Sequence, residues 1–545
     1  MRKFTLPFTL AATLVGTVVG CATDDTLTVG PGDTTKAGDD KADSSVEAVI
    51  VDFEFDGELF TDFSFSAAQQ VKNQMLFTMG QLNGDRGVAR LDLLELSNIQ
   101  TAQVGGRTHI TYHAKVPVAW GKRNSVPASY ELILPSDMSN AGQQAFFDKY
   151  KAACVEGGTD HMESGNFWYF YRPAESGCDL ADTEIIKSTA AVSLSALNTT
   201  GKYPEYHEVW KDGVLNVVAV FGKYEDTGMD ASDAGISAYN SFVRAIKTEL
   251  SPFNLVTTPA TIPSAPGVSA PDVTLDATLP DGRKVHVTAL LTNQIRTAPP
   301  SFDARYSEVT PNADYLSYNG HSGLGANIRA LTQKGRWQAG QYTLAFINGC
   351  DTYAYVDSSL ALARAQLNAD DPTGSKHLDI ATNAMPSFFS ANANNNIVFI
   401  RSFMNIATPK SYEQIFASID RSQVIVVSGE ADNVFVPGFD PNGGGGDANW
   451  AGMTEAGSVA RNAELRFTTP KLAKGKYRFT MTGTADADLY VKIGQQPTRQ
   501  VFDCRPFLNG SNETCTVDLG SAAPIHVMVR GWANSSTFSL TGAKQ

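Results

Sequence analysis

Ala313-Asp314-Tyr315-Leu316-Ser317-Tyr318-Asn319-Gly320-His321 and Tyr342-Thr343-Leu344-Ala345-Phe346-Ile347-Asn348-Gly349-Cys350 are two apolar runs that each end in Asn-Gly and a reactive side chain. Short apolar runs closed by turn residues read as strands buried on both faces. The spacing from His321 to Cys350 fits one strand–helix–strand unit, with residues 327–333 in the crossover. Neighbouring parallel strands lie about 4.8 Å apart. An imidazole and a thiol would then meet in the crevice beyond the strands' carboxyl ends, where such sheets do their chemistry. Gly320, Gly323 and Gly349 would let a substrate carbonyl approach the backbone.

The surrounding residues extend this pattern. Val214 to Gly222 is a third apolar strand, followed by a helix whose apolar face carries Ile236, Tyr239, Phe242, Val243, Ile246 and Leu250. A proline-rich stretch leads to a hairpin turning at Asp281-Gly282, whose second arm is the strand Val285 to Leu291. Further strands are read at Leu378 to Ala381 and Gln423 to Ser428, with helices near Ser359 to Leu367 and Tyr412 to Ile419. Strands alternating with helices predict an α/β domain over residues 206–436 with a mostly parallel sheet. Residues 437–447, with four consecutive glycines at 443–446, read as a linker. From 448 to 545 short strands separated by turn residues predict an all-β sandwich. Residues 46–205 mix strands with a helix over Ala67 to Leu82 and form an α+β N-terminal domain. Thr108 to Ala114 alternates as a strand, placing His109, Thr111 and His113 on one face, which reads as a solvated face. Phe167 to Tyr171 reads as an aromatic strand.

The first 20 residues form a signal: Arg2 and Lys3 precede an apolar stretch from Phe4 to Val19. Residues 21–45 are polar and read as a tether. A net charge of −14 argues against nucleic acid as a partner. Of six cysteines, Cys504 with Cys515 and Cys154 with Cys178 are plausible disulfides in an exported protein, which leaves Cys21 and Cys350.

At Val18-Val19-Gly20-Cys21 the chain resembles a bacterial lipoprotein signal, which implies lipidation of Cys21 and attachment to the outer membrane or cell surface. At Asn319-Gly320-His321 and Ile347-Asn348-Gly349-Cys350 it resembles the caspase-like cysteine peptidases. That resemblance implies an endopeptidase acting on protein or peptide, with Cys350 as nucleophile and His321 as general acid/base, and requires no cofactor. An oxyanion hole would come from amides near Cys350 and around Gly320, Ser322 and Gly323. Ser322 stands where that family usually has glycine, which favours the alternative of a non-catalytic cell-surface binding or scaffold protein on a degenerate peptidase fold. Asp351, Glu430 and Asp432 follow strands and could line a substrate pocket. Gly320-His321-Ser322 also begins like a serine-hydrolase elbow, but Leu324 occupies the position of its second glycine. Asp486-Ala487-Asp488-Leu489-Tyr490-Val491, Asp503-Cys504-Arg505-Pro506, Gly510 to Cys515 and Val527 to Trp532 resemble the bacterial pre-peptidase C-terminal domain. By that resemblance Cys504 pairs with Cys515, and Asp486 and Asp488 could support calcium.

Overall fold

The computed structural model describes residues 48–63, 66–156, 162–420, 423–439 and 450–545. The expected signal, the lipidation at Cys21, the tether and the glycine run lie outside the described residues.

The N-terminal sheet contains β1 (Val49–Thr61), β2 (Gly87–Ala89), β3 (Glu95–Val104), β4 (Arg107–Trp120), β5 (Ser129–Pro135) and β6 (Ile185–Leu194). Its order is β2-β4-β1-β6-β5, with β3 also paired to β4. β4 alternates as its sequence requires: Ile110, Tyr112 and Ala114 are buried, while His109 and His113 face outward. His109 meets Glu58 across the strand pair at 2.8 Å, and His113 sits between Asp56 and Glu54 at 2.8 and 3.1 Å. Those carboxylates raise the His113 pKa, through hydrogen bonds first from Asp56 and then Glu54. These histidines bond to carboxylates across the strand pair, which is the ordinary work of a solvated strand face. The helix expected over residues 67–82 is two helices, Ala67–Met75 and Phe77–Asn83. Phe167 to Tyr171 is no strand. It forms one helical turn, Phe167–Phe170, in which the Phe167 ring packs edge-on against Phe77 and tilted against Phe146, while Tyr171 just after it packs edge-on against Phe77. Aromatic density signals burial, and here the core is filled by a turn of helix instead of a pleat.

The central sheet contains β7 (Val214–Gly222), β8 (Val256–Thr258), β9 (Asp272–Thr278), β10 (Lys284–Thr292), β11 (Tyr315–Asn319), β12 (Thr343–Asn348), β13 (Leu378–Asn383) and β14 (Ile425–Ser428). They lie in the order β14-β13-β12-β11-β7-β10-β9-β8. β10, β7, β11, β12 and β13 are parallel, and β14 is antiparallel to β13. The chain enters at β7, adds β10 on one side and β11 on the other, so the connections diverge at β7. Along β7, Val217, Ala219 and Phe221 enter one core while Val218 and Val220 enter another, as a strand covered on both faces demands. Helices Ala234–Leu250 and Phe389–Met404 cover the first face. The first is capped by Asp233, whose carboxylate accepts the Ile236 amide at 2.9 Å. Gly235 lets this helix approach β7: a Cβ there would lie 2.1 Å from the Gly222 carbonyl oxygen. The second helix gives no sequence signal as clean, because its row of asparagines masks the apolar periodicity.

The other face of the central sheet is covered by Ala326–Lys334, Ser359–Leu367 and the N-terminal sheet. One hydrophobic cluster runs without a break from Phe53 and Val118 of the N-terminal sheet to Val218 and Ile347 of the central one. Packing is therefore continuous across residue 205.

The C-terminal part is a sandwich of two sheets. One is β15-β21-β17-β19, from β15 (Met453–Ala460), β17 (Gly475–Gly483), β19 (Glu513–Leu519) and β21 (Ser535–Lys544). The other is β16-β20-β18, from β16 (Glu464–Thr468), β18 (Ala487–Ile493) and β20 (Ile525–Gly531). Inward residues such as Leu489, Val491, Val527, Phe479 and Leu540 fill the space between them, and Cys504 is bonded to Cys515.

Candidate functional site

β11 and β12 are parallel neighbours with Asn319 opposite Asn348, so the turns that carry His321 and Cys350 lie side by side. What surrounds them differs from a working nucleophile. Cys350 is 1% exposed and lies in the hydrophobic core, its sulfur 3.8 Å from the Ser387 carbonyl oxygen. A sulfur buried in this way is out of reach of a substrate. His321 is half-buried against the rings of Tyr224 and Phe389, and its Nε2 donates to the Tyr224 carbonyl at 3.1 Å. Burial lowers its pKa below the usual histidine value, which disfavours the charged ring.

The glycines serve the protein's own backbone. A Cβ on Gly349 would lie 2.7 Å from the Gly320 carbonyl oxygen, so the two turns are in contact with each other. The Gly320 amide donates to the Asn348 carbonyl and the Asp351 amide to that of Met385. Ser322 is buried in the turn before helix Ala326–Lys334, where its carbonyl accepts from the Gly325 and Asn327 amides, and Gly323 holds a left-handed φ of 58°.

Beneath these turns lies a buried amide network. Asn348 donates to Asn319 at 3.1 Å and to Asn392 at 2.9 Å. Asn383 donates to Asn348 at 2.8 Å and to the Gly349 carbonyl at 3.1 Å. Asn396 donates to Asn319 at 2.7 Å. These side chains tie three parallel strand ends to helix Phe389–Met404 in a region of low dielectric, where such bonds are strong and costly to break.

The acidic candidates part company. Asp351, in the left-handed region at φ 51°, is 1% exposed and accepts from Asn83 at 2.7 Å and Tyr169 at 2.9 Å. Burial raises its pKa to about 6, and its partners belong to the N-terminal part. Glu430 and Asp432 follow β14, which runs against β13, so they lie at the opposite end of the sheet from His321. Glu430 is buried on Thr199, with a pKa pushed up to about 7 by burial, and Asp432 accepts from Ser375 at 3.0 Å. The single strand reversal separates them from the pocket the sequence suggested.

A second cluster lies at one end of the sandwich. Phe507, Leu508 and Trp532 are 64%, 55% and 51% exposed. The Arg505 guanidinium lies 3.8 Å over Phe507 and 4.7 Å over Tyr490, and that of Arg530 lies 5.7 Å over Trp532. Arg505 also pairs at 3.1 Å with Asp488, which sits opposite Arg530 across β18 and β20. The Asp486 carbonyl accepts the Trp532 and Ala533 amides while its carboxylate accepts the Gly510 amide. Of the two aspartates expected to support calcium, Asp488 thus pairs with an arginine and Asp486 accepts a backbone amide. The buried Glu513 carboxylate accepts the Leu508 amide at 2.7 Å and the Leu489 amide at 2.6 Å, which fixes the loop. Phe507 is held at a φ of 55°, a conformation that a bulky residue takes only when its surroundings impose it. The sequence signal for this cluster was an arginine paired with an aromatic in each of two turns, Arg505 with Phe507 and Arg530 with Trp532.

No family model matches the chain. It is 38% identical over 84 residues to the virulence metalloprotease of Vibrio anguillarum, covering 15% of this chain and 14% of that protein. It is 48% identical over 58 residues to alkaline serine exoprotease A of Vibrio alginolyticus, covering 11% of each. It is 41% identical over 75 residues to a zinc metalloprotease of Helicobacter pylori, covering 12% of this chain and 29% of that one. Among solved structures, that of vEP C-ter 100 is 30% identical and matches 18% of this chain and 96% of that one, at a TM-score of 0.15. The chain thus spans under a third of the curated relatives' length. The relatives are metalloproteases and a serine protease, and none of these matches is to a caspase-like enzyme. Together with the burial of Cys350, this overturns both the caspase-like resemblance and the Cys350–His321 peptidase expected from it.

Proposed function

We propose that this chain is an exported protein of the secreted-protease class that acts on protein substrates, and that its C-terminal sandwich is the accessory module by which it holds them. The observation that carries the reading is that a segment of similar length is shared with proteases named for two different chemistries, metallo and serine. A shared segment of 58 to 84 residues cannot hold both active sites, so what it confers is common to both, and binding is the simplest common need. The sandwich presents the chemistry for it. Exposed tryptophan and phenylalanine stacked with arginines are the groups that dominate protein recognition. Two intramolecular disulfides suit an oxidising compartment and support export.

The test uses the full chain and fluorescently labelled, reduced and carboxymethylated casein. Binding is measured by anisotropy, and hydrolysis by release of soluble label. Phe507→Ala with Trp532→Ala should weaken binding about tenfold or more, the usual scale for losing paired aromatic anchors. Unchanged binding would remove the sandwich from the reading. Hydrolysis should be as fast in Cys350→Ala as in the parent. Absence of hydrolysis in both proteins would remove the protease assignment and leave a binding protein.

A further inference from the structure

A cavity of about 370 Å³ opens at the carboxyl ends of β7 and β10, where the sheet's connections diverge. Crevices beyond these strand ends are where open α/β sheets take ligands. Val268 and Pro271 from the proline-rich segment, Leu290 from β10 and Phe302 from helix Pro300–Val309 give it a largely apolar wall. Polar groups interrupt that wall, among them Thr292 and Lys223. Thr292 is 4% exposed, yet its hydroxyl has no hydrogen-bond partner. A buried hydroxyl left unpaired gains from any partner that can reach it. Lys223, whose amide donates to the Thr292 carbonyl at 2.9 Å, stands beside it. Its ammonium makes no ion pair among the described residues, and reaches only the Asp226 carbonyl at 3.5 Å. The other cation of the wall, Arg305, is held at 3.0 Å by both Asp272 and Glu308.

We propose that this cavity binds a small apolar carboxylate, such as the C-terminal residue of a peptide. The apolar body fills the space between Val268, Leu290 and Phe302. The carboxylate pairs with Lys223, and the Thr292 hydroxyl donates to the ligand's carbonyl or carboxylate oxygen. The inference is independent of the sandwich, which lies on other strands.

Isothermal titration of the full chain with N-acetyl-phenylalanine and with N-acetyl-phenylalanine amide tests it. The acid should bind at least about tenfold more tightly than the amide, the scale of one charge-assisted hydrogen bond. Lys223→Gln should erase that preference and leave amide binding as it was. Thr292→Val, which keeps the shape and removes the unpaired hydroxyl, should weaken the acid several-fold without lowering the melting temperature. Equal affinity for the two compounds, no binding of the acid at millimolar concentration, or a preference that survives Lys223→Gln would each overturn the proposal.

Discussion

The carboxyl end of the central sheet and the loop end of the sandwich both gather polar and aromatic side chains, and they direct them oppositely. At the sheet, Asn319, Asn348, Asn383, Asn392 and Asn396 bond to one another out of reach of solvent, and Cys350 and Asp351 are buried with them. At the sandwich, Phe507, Leu508 and Trp532 stand in water while the charged groups beneath them pair. The first arrangement satisfies the fold, and the second leaves surface that only a partner would satisfy. A reactive residue at the right place in a topology is therefore not yet a site: access decides.

The sharpest way to break this contrast is Asn348→Leu. It would take the donor from Asn392, one of two donors from Asn319 and one of two acceptors from Asn383, and should destabilise the chain by about 3 kcal/mol, read from urea unfolding. A loss below about 1 kcal/mol would mean that the strand ends are not held by this network.

Burial should also appear as pH dependence. Asp379 is fully buried, accepts from Tyr342 and Asn433 at 2.6 Å and from Tyr412, and burial pushes its pKa to about 8. Asp314 is raised to about 8 in the same way. A raised carboxyl pKa means that the folded state holds a proton that the unfolded chain releases near pH 4. Stability must then fall as pH rises from about 4 to about 8. Asp379→Asn should flatten part of that slope. A slope identical in the variant would show that Asp379 ionises freely in the folded chain.

The sequence disclosed the sheets well because buried strands and amphipathic helices leave periodic patterns. Val214 to Gly222, the Asp281-Gly282 hairpin and the pairing of the two Asn-Gly strands all follow from local residues. Three things were not legible. Strand sense is a tertiary property, so nothing in residues 423–432 reveals that β14 runs backward and carries Glu430 away. Aromatic density at residues 167–171 fixes burial without fixing backbone form. And the state of Cys350 depends on what covers it, which a local motif cannot report.

A smaller effect concerns the segment that leads to the sandwich. Glu205 accepts the Val434 and Phe435 amides, and the His207 ring lies tilted against Phe439 with centroids 4.1 Å apart. Burial disfavours the charge on His207, but the Glu205 and Glu208 carboxylates, 3.2 and 3.4 Å from its ring nitrogens, outweigh it and raise the pKa to about 9. The stabilisation is complete below the unfolded value near 6.5 and is lost as pH rises through about 9. His207→Gln should remove about 1 kcal/mol at pH 6 and almost nothing at pH 10, measured by denaturation at both.

The smallest expected change in stability tests the comparison most directly. Trp532→Ala removes a side chain that is half exposed and whose neighbour, Arg530, keeps its bond to Asn462 at 2.6 Å. An exposed truncation of this kind should alter stability by less than about 0.5 kcal/mol. If it instead unfolded the sandwich, the tryptophan would belong to the core and the exposed end would need no partner. If stability held while casein binding fell, the cost of keeping an aromatic ring in water would be explained by what it binds.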